Sequence, residues 1–489
     1  MSTAVAPVRT GGIVGVLACA GIVASLTQTL VVPLIAELPH LLGTTSANAS
    51  WVITATLLAA AVSTPVAGRL GDLFGKRRMI VLLLLPLILG SVLCAVATSV
   101  LPMIVGRGLQ GLSAGMIPLG ISLLNDVLPR EKVGTAIALM SASLGIGGAL
   151  GLPLAAAVAE YTNWRMLFWG TGALAVVVLL LVLRVVPGTA APTTREAFDY
   201  LGAFGLGAAL VCLLLGVSKG ADWGWGSPLV VGLFVSTVVL LLAWGWWELR
   251  HPQALIDLRV TARPRVLLTN VASIVLGVAM YAQSLILPQI LELPKETGVG
   301  LGQSMIQMGL WMAPSGLFMM ALSPVGARLS KARGPKTTLV VGSLIIAVGY
   351  AIAMLLMSST WGIMLAVSVA GAGLGFAYGA MPALIMSSVP HTETASANSV
   401  NTLMRSIGTS ISAAVVAVIL AQMTMDFGGY PVTSAAGFRT GLALGCGVAV
   451  VAALVALAIP ALKASRPSRG DSAAAGLPEG GHELAGVTA

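Results

Sequence analysis

Charge is what this sequence has least of. Only 9% of its 489 residues are Asp, Glu, Lys or Arg, and 57% are apolar, whereas a water-soluble chain carries about 25% charged residues. So few charges cannot give a chain of this length a water-compatible surface, so a lipid bilayer is its expected solvent. Cysteine is almost as scarce. Cys19, Cys94, Cys212 and Cys446 lie far apart, each inside an apolar run, which excludes a disulfide framework and leaves small buried core residues as the expectation. His40, His251, His391 and His482 all fall in connecting segments or the tail. No paired acids and no clustered nucleophile and base stand at membrane depth, so an enzyme is not expected, nor a metal or other cofactor. The Gly-Lys-Ser/Thr phosphate loop of an ATP-driven pump is missing as well. Period-2 alternation is absent, which excludes a closed barrel. No small-residue cleavage site follows the first apolar run, so that run is expected to be a span and not a removed signal.

What is present is a series of long apolar runs. A hydrocarbon core of roughly 30 Å needs about 20 apolar residues per helix. The runs are 12–36, 48–68, 79–98, 101–124, 133–158, 165–186, 200–218, 228–247, 266–291, 304–327, 337–357, 361–388, 398–421 and 440–462. Fourteen spans put both termini on one side. Placed inside, the termini and alternate connections hold twenty of the 26 basic residues, including Arg9, Arg195, Lys463, Arg466 and Arg469. The outer segments hold Arg165, Lys219, Lys295 and Arg439, while Arg107 and Arg405 fall inside spans. That asymmetry is the positive-inside pattern of an inner-membrane protein with cytoplasmic termini. The net charge of +9 therefore comes from membrane-side loops, and no nucleic-acid partner is expected. The Gly-, Ala-, Ser- and Pro-rich tail after Lys463 is expected to be disordered.

One segment carries a mechanism. GRLGDLFGKRR sets Asp72 among Arg69, Lys76, Arg77 and Arg78, with Gly68, Gly71 and Gly75 allowing close approach and a tight turn. An acid at a helix end can pair with a base on a neighbour or cap that neighbour's N-terminus, forming when one side shuts and breaking when it opens. A weaker echo, GARLSKARGPK (326–336), has Ser330 where Asp72 stood, which points to an internal repeat with an asymmetric latch. In the fourth span, Arg107 and Gln110 share a face, and an arginine in hydrocarbon is costly unless partnered inside the bundle. In the fifth, Gly145, Gly148 and Gly151 are expected to allow close helix crossing, and Pro153 to bend the helix.

Together these segments resemble the fourteen-span drug:proton antiporter branch of the major facilitator superfamily. Arg-x-x-Gln-Gly in span 4, the Gly/Pro-rich fifth span ending in Glu160, Trp164 and Arg165, Trp51, and the Pro288–Glu292 run all match it. The resemblance implies an all-α membrane protein with a six-helix bundle over 1–190, an inserted helix pair over 191–262, a second bundle over 263–463 and a tail over 464–489. It further implies alternating-access export of amphipathic small molecules in exchange for protons, by a monomer. A dedicated exporter of one endogenous metabolite, peptide or lipid is the alternative. One feature departs from the branch: Thr27 stands where its members carry an aspartate in span 1. Proton-coupling candidates are then Glu37, Glu160 and Glu292 near the outer face, Asp126 inside, and Arg107 with Gln110. Gln28, Tyr281, Gln283, Met308, Trp311, Tyr378, Met381, Asn401 and Arg405 sketch a cavity for the cargo. With few fixed charges there, neutral, zwitterionic or anionic cargo fits better than cationic.

Orientation is testable by fusion. A green fluorescent protein joined after Arg333 is expected to fluoresce and one joined after Lys295 to stay dark; the opposite pair of results would invert the topology.

Overall fold

The computed structural model describes residues 10–31, 34, 37–188, 197–428 and 430–460. The expectations placed on Arg9, Arg195, Lys463, Arg466, Arg469 and the tail lie outside these residues. Among the described residues, fourteen helices are long and apolar enough to cross a membrane. Numbered as spans in chain order, they are 1 (Thr10–Thr29), 2 (Trp51–Phe74), 3 (Lys76–Val96), 4 (Val100–Val127), 5 (Arg130–Tyr161), 6 (Arg165–Val185) and 7 (Tyr200–Trp223). Then follow 8 (Pro228–Arg250), 9 (Pro264–Glu292), 10 (Met305–Arg333), 11 (Pro335–Leu355), 12 (Thr360–Met386), 13 (Thr394–Gln422) and 14 (Ala435–Ala458). Span 4 tightens into a 3₁₀ turn at Leu112–Gly115, and Ala313 interrupts span 10 just before Pro314.

Local sequence explains where many of these helices begin. The side chains of Asp199, Ser227, Ser304, Ser359 and Ser434 accept backbone N–H bonds at the starts of spans 7, 8, 10, 12 and 14. Each satisfies a donor that the first helical turn would otherwise leave orphaned. The N-cap residues of spans 2–6, 9, 11 and 13 make no such bond, Glu393 at span 13 among them.

The GRLGDLFGKRR segment is not a loop. Span 2 runs on through Phe74 and span 3 starts at Lys76, so the whole turn is Gly75, at φ +95°. A residue with a Cβ rarely adopts that backbone. Gly334 makes the same turn between spans 10 and 11 at φ +86°. Another departure from expectation lies between spans 13 and 14, where β1 (Thr424–Phe427) and β2 (Tyr430–Thr433) pair antiparallel. Gly428, at φ +62°, provides the reversal. Of the cysteines only Cys94 is buried; Cys19 is exposed and the other two are partly so.

One apolar core is built mainly from spans 1–6, with Ala395 of span 13 in it, and another mainly from spans 9–14, with Leu144 of span 5 packed against both. Spans from the two ends of the chain then meet along two seams. Spans 5 and 10 touch where a Cβ on Gly316 would meet the Gly145 carbonyl, and Gly309 lies on Pro153. Spans 2 and 13 touch where Gly68 faces Ala395 and Ser399. Gly151 packs on Thr29 of span 1. Gly148 has open space instead, and its neighbour Gly147 makes the approach to Ser25. Span 7 lays Leu206, Leu210 and Leu214 over Ala61 of span 2 and Val400 and Leu403 of span 13. At the other end of span 7, Lys219 bonds Ser50 and lies 3.1 Å from Asp222, below the Trp51 ring. Span 8 turns mainly outward.

Space at these glycines separates packing from permissive positions. Gly316→Val is expected to cost about 1–3 kcal/mol by overpacking, read as a lower unfolding midpoint in detergent. Gly148→Ala is expected to stay within about 0.5 kcal/mol of the parent.

Candidate functional site

The uncapped start of span 13 is where Asp72 goes. Its carboxylate accepts the backbone N–H groups of Ala395 (3.2 Å) and Ser396 (2.8 Å), so an acid from span 2 serves as the missing cap of span 13. A buried anion at a helix N-terminus meets both orphan donors and the positive end of the helix dipole, worth up to ~2 kcal/mol in partly buried geometry. Lys76 completes the joint. Its ammonium donates to Asp126 at 2.7 Å and to the Thr394 hydroxyl at 2.9 Å, and lies 3.8 Å from Asp72. Ser122 and Thr394 share a 2.5 Å hydroxyl bond. Of the other basic residues, Arg69 is buried, Arg77 donates to the Leu183 carbonyl at the end of span 6 (2.7 Å), and Arg78 is exposed. In the second signature segment, Ser330 donates to Thr338 of the adjoining span at 2.8 Å.

Arg107 is a second hub. It is 1% exposed, and its guanidinium donates to the Thr27 carbonyl (2.6 Å), to Gln110 (2.8 Å) and to the Val52 carbonyl (3.5 Å). Gln110 passes the chain on to Ser91 at 2.9 Å. One cation thus ties spans 1–4 through carbonyl and amide oxygens, the partners that make a charge tolerable in hydrocarbon. Thr27 donates its hydroxyl to Ala24 within its own helix (2.7 Å), so Arg107 meets a backbone carbonyl at the place of the absent acid. Among the described residues, no carboxylate comes within ion-pair distance of Arg107.

The cavity candidates divide. Tyr378, Asn401 and Arg405 line a small space of about 10 Å³ together with Ser141, Asn398 and residues of span 4. Arg405 stacks on the Tyr378 ring, 4.5 Å from its centroid, and Asn401 donates to Asn270 and Ser273. Met381 accepts from Ser273, Met308 and Gln283 are buried, and Trp311 bonds Gln303 while packing edge-on to Trp361. Tyr281 is partly exposed and Gln28 exposed, and neither borders the cavity. The coupling candidates Glu37, Glu160, Glu292 and Asp126 are exposed, Asp126 at the joint with Lys76.

Sequence reasoning passed over four buried polar groups. Ser141 and Asn398 have side-chain atoms without a partner. Asp199 and Glu248, at the start of span 7 and in the last turn of span 8, are 5% and 3% exposed. The one available signal was position: Glu248 closes an apolar run beside two tryptophans, where a surface acid has little reason to be.

A model of the Major Facilitator Superfamily matches residues 17–413 and, overlapping, 272–479. The chain belongs to that superfamily, and it is a multi-pass membrane protein. It is 29% identical to the multidrug resistance protein B homolog of Mycobacterium tuberculosis, over 77% of this chain and 70% of that one. It is 27% identical to the probable actinorhodin transporter of Streptomyces coelicolor, over 76% and 65%. The chain spans about half the length (46%) of the first curated relatives it matches. Its fold is that of the human organic anion transporter MFSD10, with a TM-score of 0.65 over 92% of this chain and 100% of that one at 14% identity.

The Asp72 cap gives a measurable prediction. In a cysteine-free background, Ser399→Cys, buried in the joint, is expected to react about fivefold faster with an impermeant thiol reagent once Asp72→Asn removes roughly 1 kcal/mol of charge–dipole energy. An unchanged rate would exclude Asp72 from holding this joint shut.

Proposed function

We propose that this chain exports amphipathic small molecules across the bacterial inner membrane by alternating access, in exchange for protons, with the basic end of the molecule facing the cytoplasm. The Asp72–span 13 joint is then the cytoplasmic latch, broken to admit cargo and remade to release it outside. The division into a bundle over 1–190, a helix pair over 191–262 and a bundle over 263–463 supplies the two bodies that rock.

The observation that carries the substrate reading is Arg405. It lies between the two halves of the chain, against Tyr378, with no carboxylate at ion-pair distance among the described residues. A cation balanced only by a ring face gains most from an anionic partner. Ile117, Ile121, Leu144 and Pro382 line the same space and suit an apolar body. At about 10 Å³ the cavity holds roughly one water, so it is collapsed here and cargo requires a more open state. The multidrug and organic-anion names of similar proteins support this reading. A second reading, a dedicated exporter of one endogenous product, is favoured by Thr27 in place of an acid and by the similarity to an actinorhodin transporter.

Everted vesicles provide the test. Uptake of anionic amphipathic dyes is expected to collapse with a protonophore, and Arg405→Gln to lower it about tenfold, the effect of losing ~1.4 kcal/mol of charge-assisted bonding, with less effect on neutral dyes. Uptake indifferent to the protonophore would overturn proton coupling. A panel in which no dye moves would favour the dedicated exporter.

A further inference from the structure

The basic end also contains a buried acid that the latch itself does not use. Glu248, in the last turn of span 8, is 3% exposed. Its Oε2 accepts the Ile256 N–H at 3.4 Å, and its Oε1 has no partner. Asp199, at the start of span 7, is placed against it: a Cβ on Gly202 would meet both the Asp199 and the Glu248 carboxylate. The two acids are not equivalent. Asp199 accepts the Gly202 N–H at 2.8 Å and the Trp247 indole N–H at 3.1 Å. Glu248 has one weak donor, a buried bare oxygen and a like charge beside it. Of the pair, Glu248 is the group that takes a proton.

A continuous set of hydrogen bonds leads from Glu248 to the latch. Its partner, the Ile256 N–H, belongs to the same peptide group as the Leu255 carbonyl. That carbonyl accepts the Ser396 hydroxyl at 3.4 Å, and the Ser396 N–H is the 2.8 Å bond to Asp72. One peptide unit therefore stands between the acid of the helix pair and the cap of span 13. Beside it opens a cavity of about 380 Å³, walled by Glu248, Leu255, Ser396 and mostly polar groups, through which a proton can reach Glu248 from the basic end.

We propose that Glu248 is a proton-binding site that sets the latch. When it is ionised, its charge holds the Ile256 N–H and keeps the 255–256 peptide in place under Ser396, so span 13 stays seated on Asp72. When it is protonated, that hold weakens and the cytoplasmic side opens. Other charges face the pair. His251 lies 3.9 Å from Asp199, and Arg250 follows on the same helix. Arg69 of span 2, Asp257 and Arg259 of the linker, and Glu393 before span 13 line the cavity.

The inference rests on reading the basic end as the gate, and its test needs neither cargo nor a proton gradient. Spin labels are placed on the exposed positions Glu131→Cys and Thr392→Cys of a protein whose native cysteines are replaced, and the distance between them is measured by pulsed electron resonance as pH is varied. The long-distance population is expected to grow as pH falls, with a single midpoint. Glu248→Gln is expected to abolish that midpoint and stay open throughout. Asp199→Asn, which keeps the helix cap, is expected to lower it by about one pH unit, because the neighbouring negative charge is gone. Ser396→Ala is expected to uncouple the distance from pH. A midpoint surviving in Glu248→Gln overturns the proposal, and so does one unmoved in Asp199→Asn, which decides the matter should the glutamine variant not fold. A parent protein whose distance changes with added dye but not with pH would leave the transport reading standing and remove this one.

Discussion

Span 13 enters the membrane without a cap of its own, and that deficit organises the basic end of the protein. Two backbone N–H groups at a buried helix start must find acceptors, and Asp72, from 324 residues away, is the acceptor they find. Everything near the joint follows from keeping that carboxylate in place. Gly68 lets span 2 come close to Ala395 and Ser399. Lys76 offsets the buried charge while reaching Asp126 and Thr394. A bond of this kind is strong when dry and nearly worthless once water enters, which is the property a reversible closure needs.

Arg107 and Arg405 show how the same residue type serves two purposes in hydrocarbon. Arg107 is supplied with oxygens from spans 1, 2 and 4, and its charge is spent on holding four helices in register. Arg405 has a ring face and little else. The first is a completed structural unit and the second an open one, and that incompleteness is the ground for proposing Arg405 as the cargo contact.

The helix pair of spans 7 and 8 is the least expected participant. Span 8 buries little of itself, yet its last turn brings Glu248 inside, and the linker behind it lies under Ser396. The linker behind span 8 thus reaches the joint through the 255–256 peptide group, while span 7 packs directly on spans 2 and 13.

Much of this was legible beforehand. Fourteen spans and the superfamily follow from the sequence, because apolarity over about 20 residues is a local property that lipid rewards wherever the helix ends up. The exact turn was not: the signature segment looked like a loop, but Gly75 alone reverses the chain. Glycine positions on span 5 were right in kind and uneven in detail, with Gly147 taking the contact expected of Gly148. Polar partnerships lay beyond reach for a common reason. Whether an acid is a solvated helix end or a buried switch depends on which atoms from distant segments crowd around it. Asp72 meeting Ser396, Glu248 meeting Asp199 and Arg405 stacking on Tyr378 are outcomes of packing between helices, and only the tertiary structure decided them.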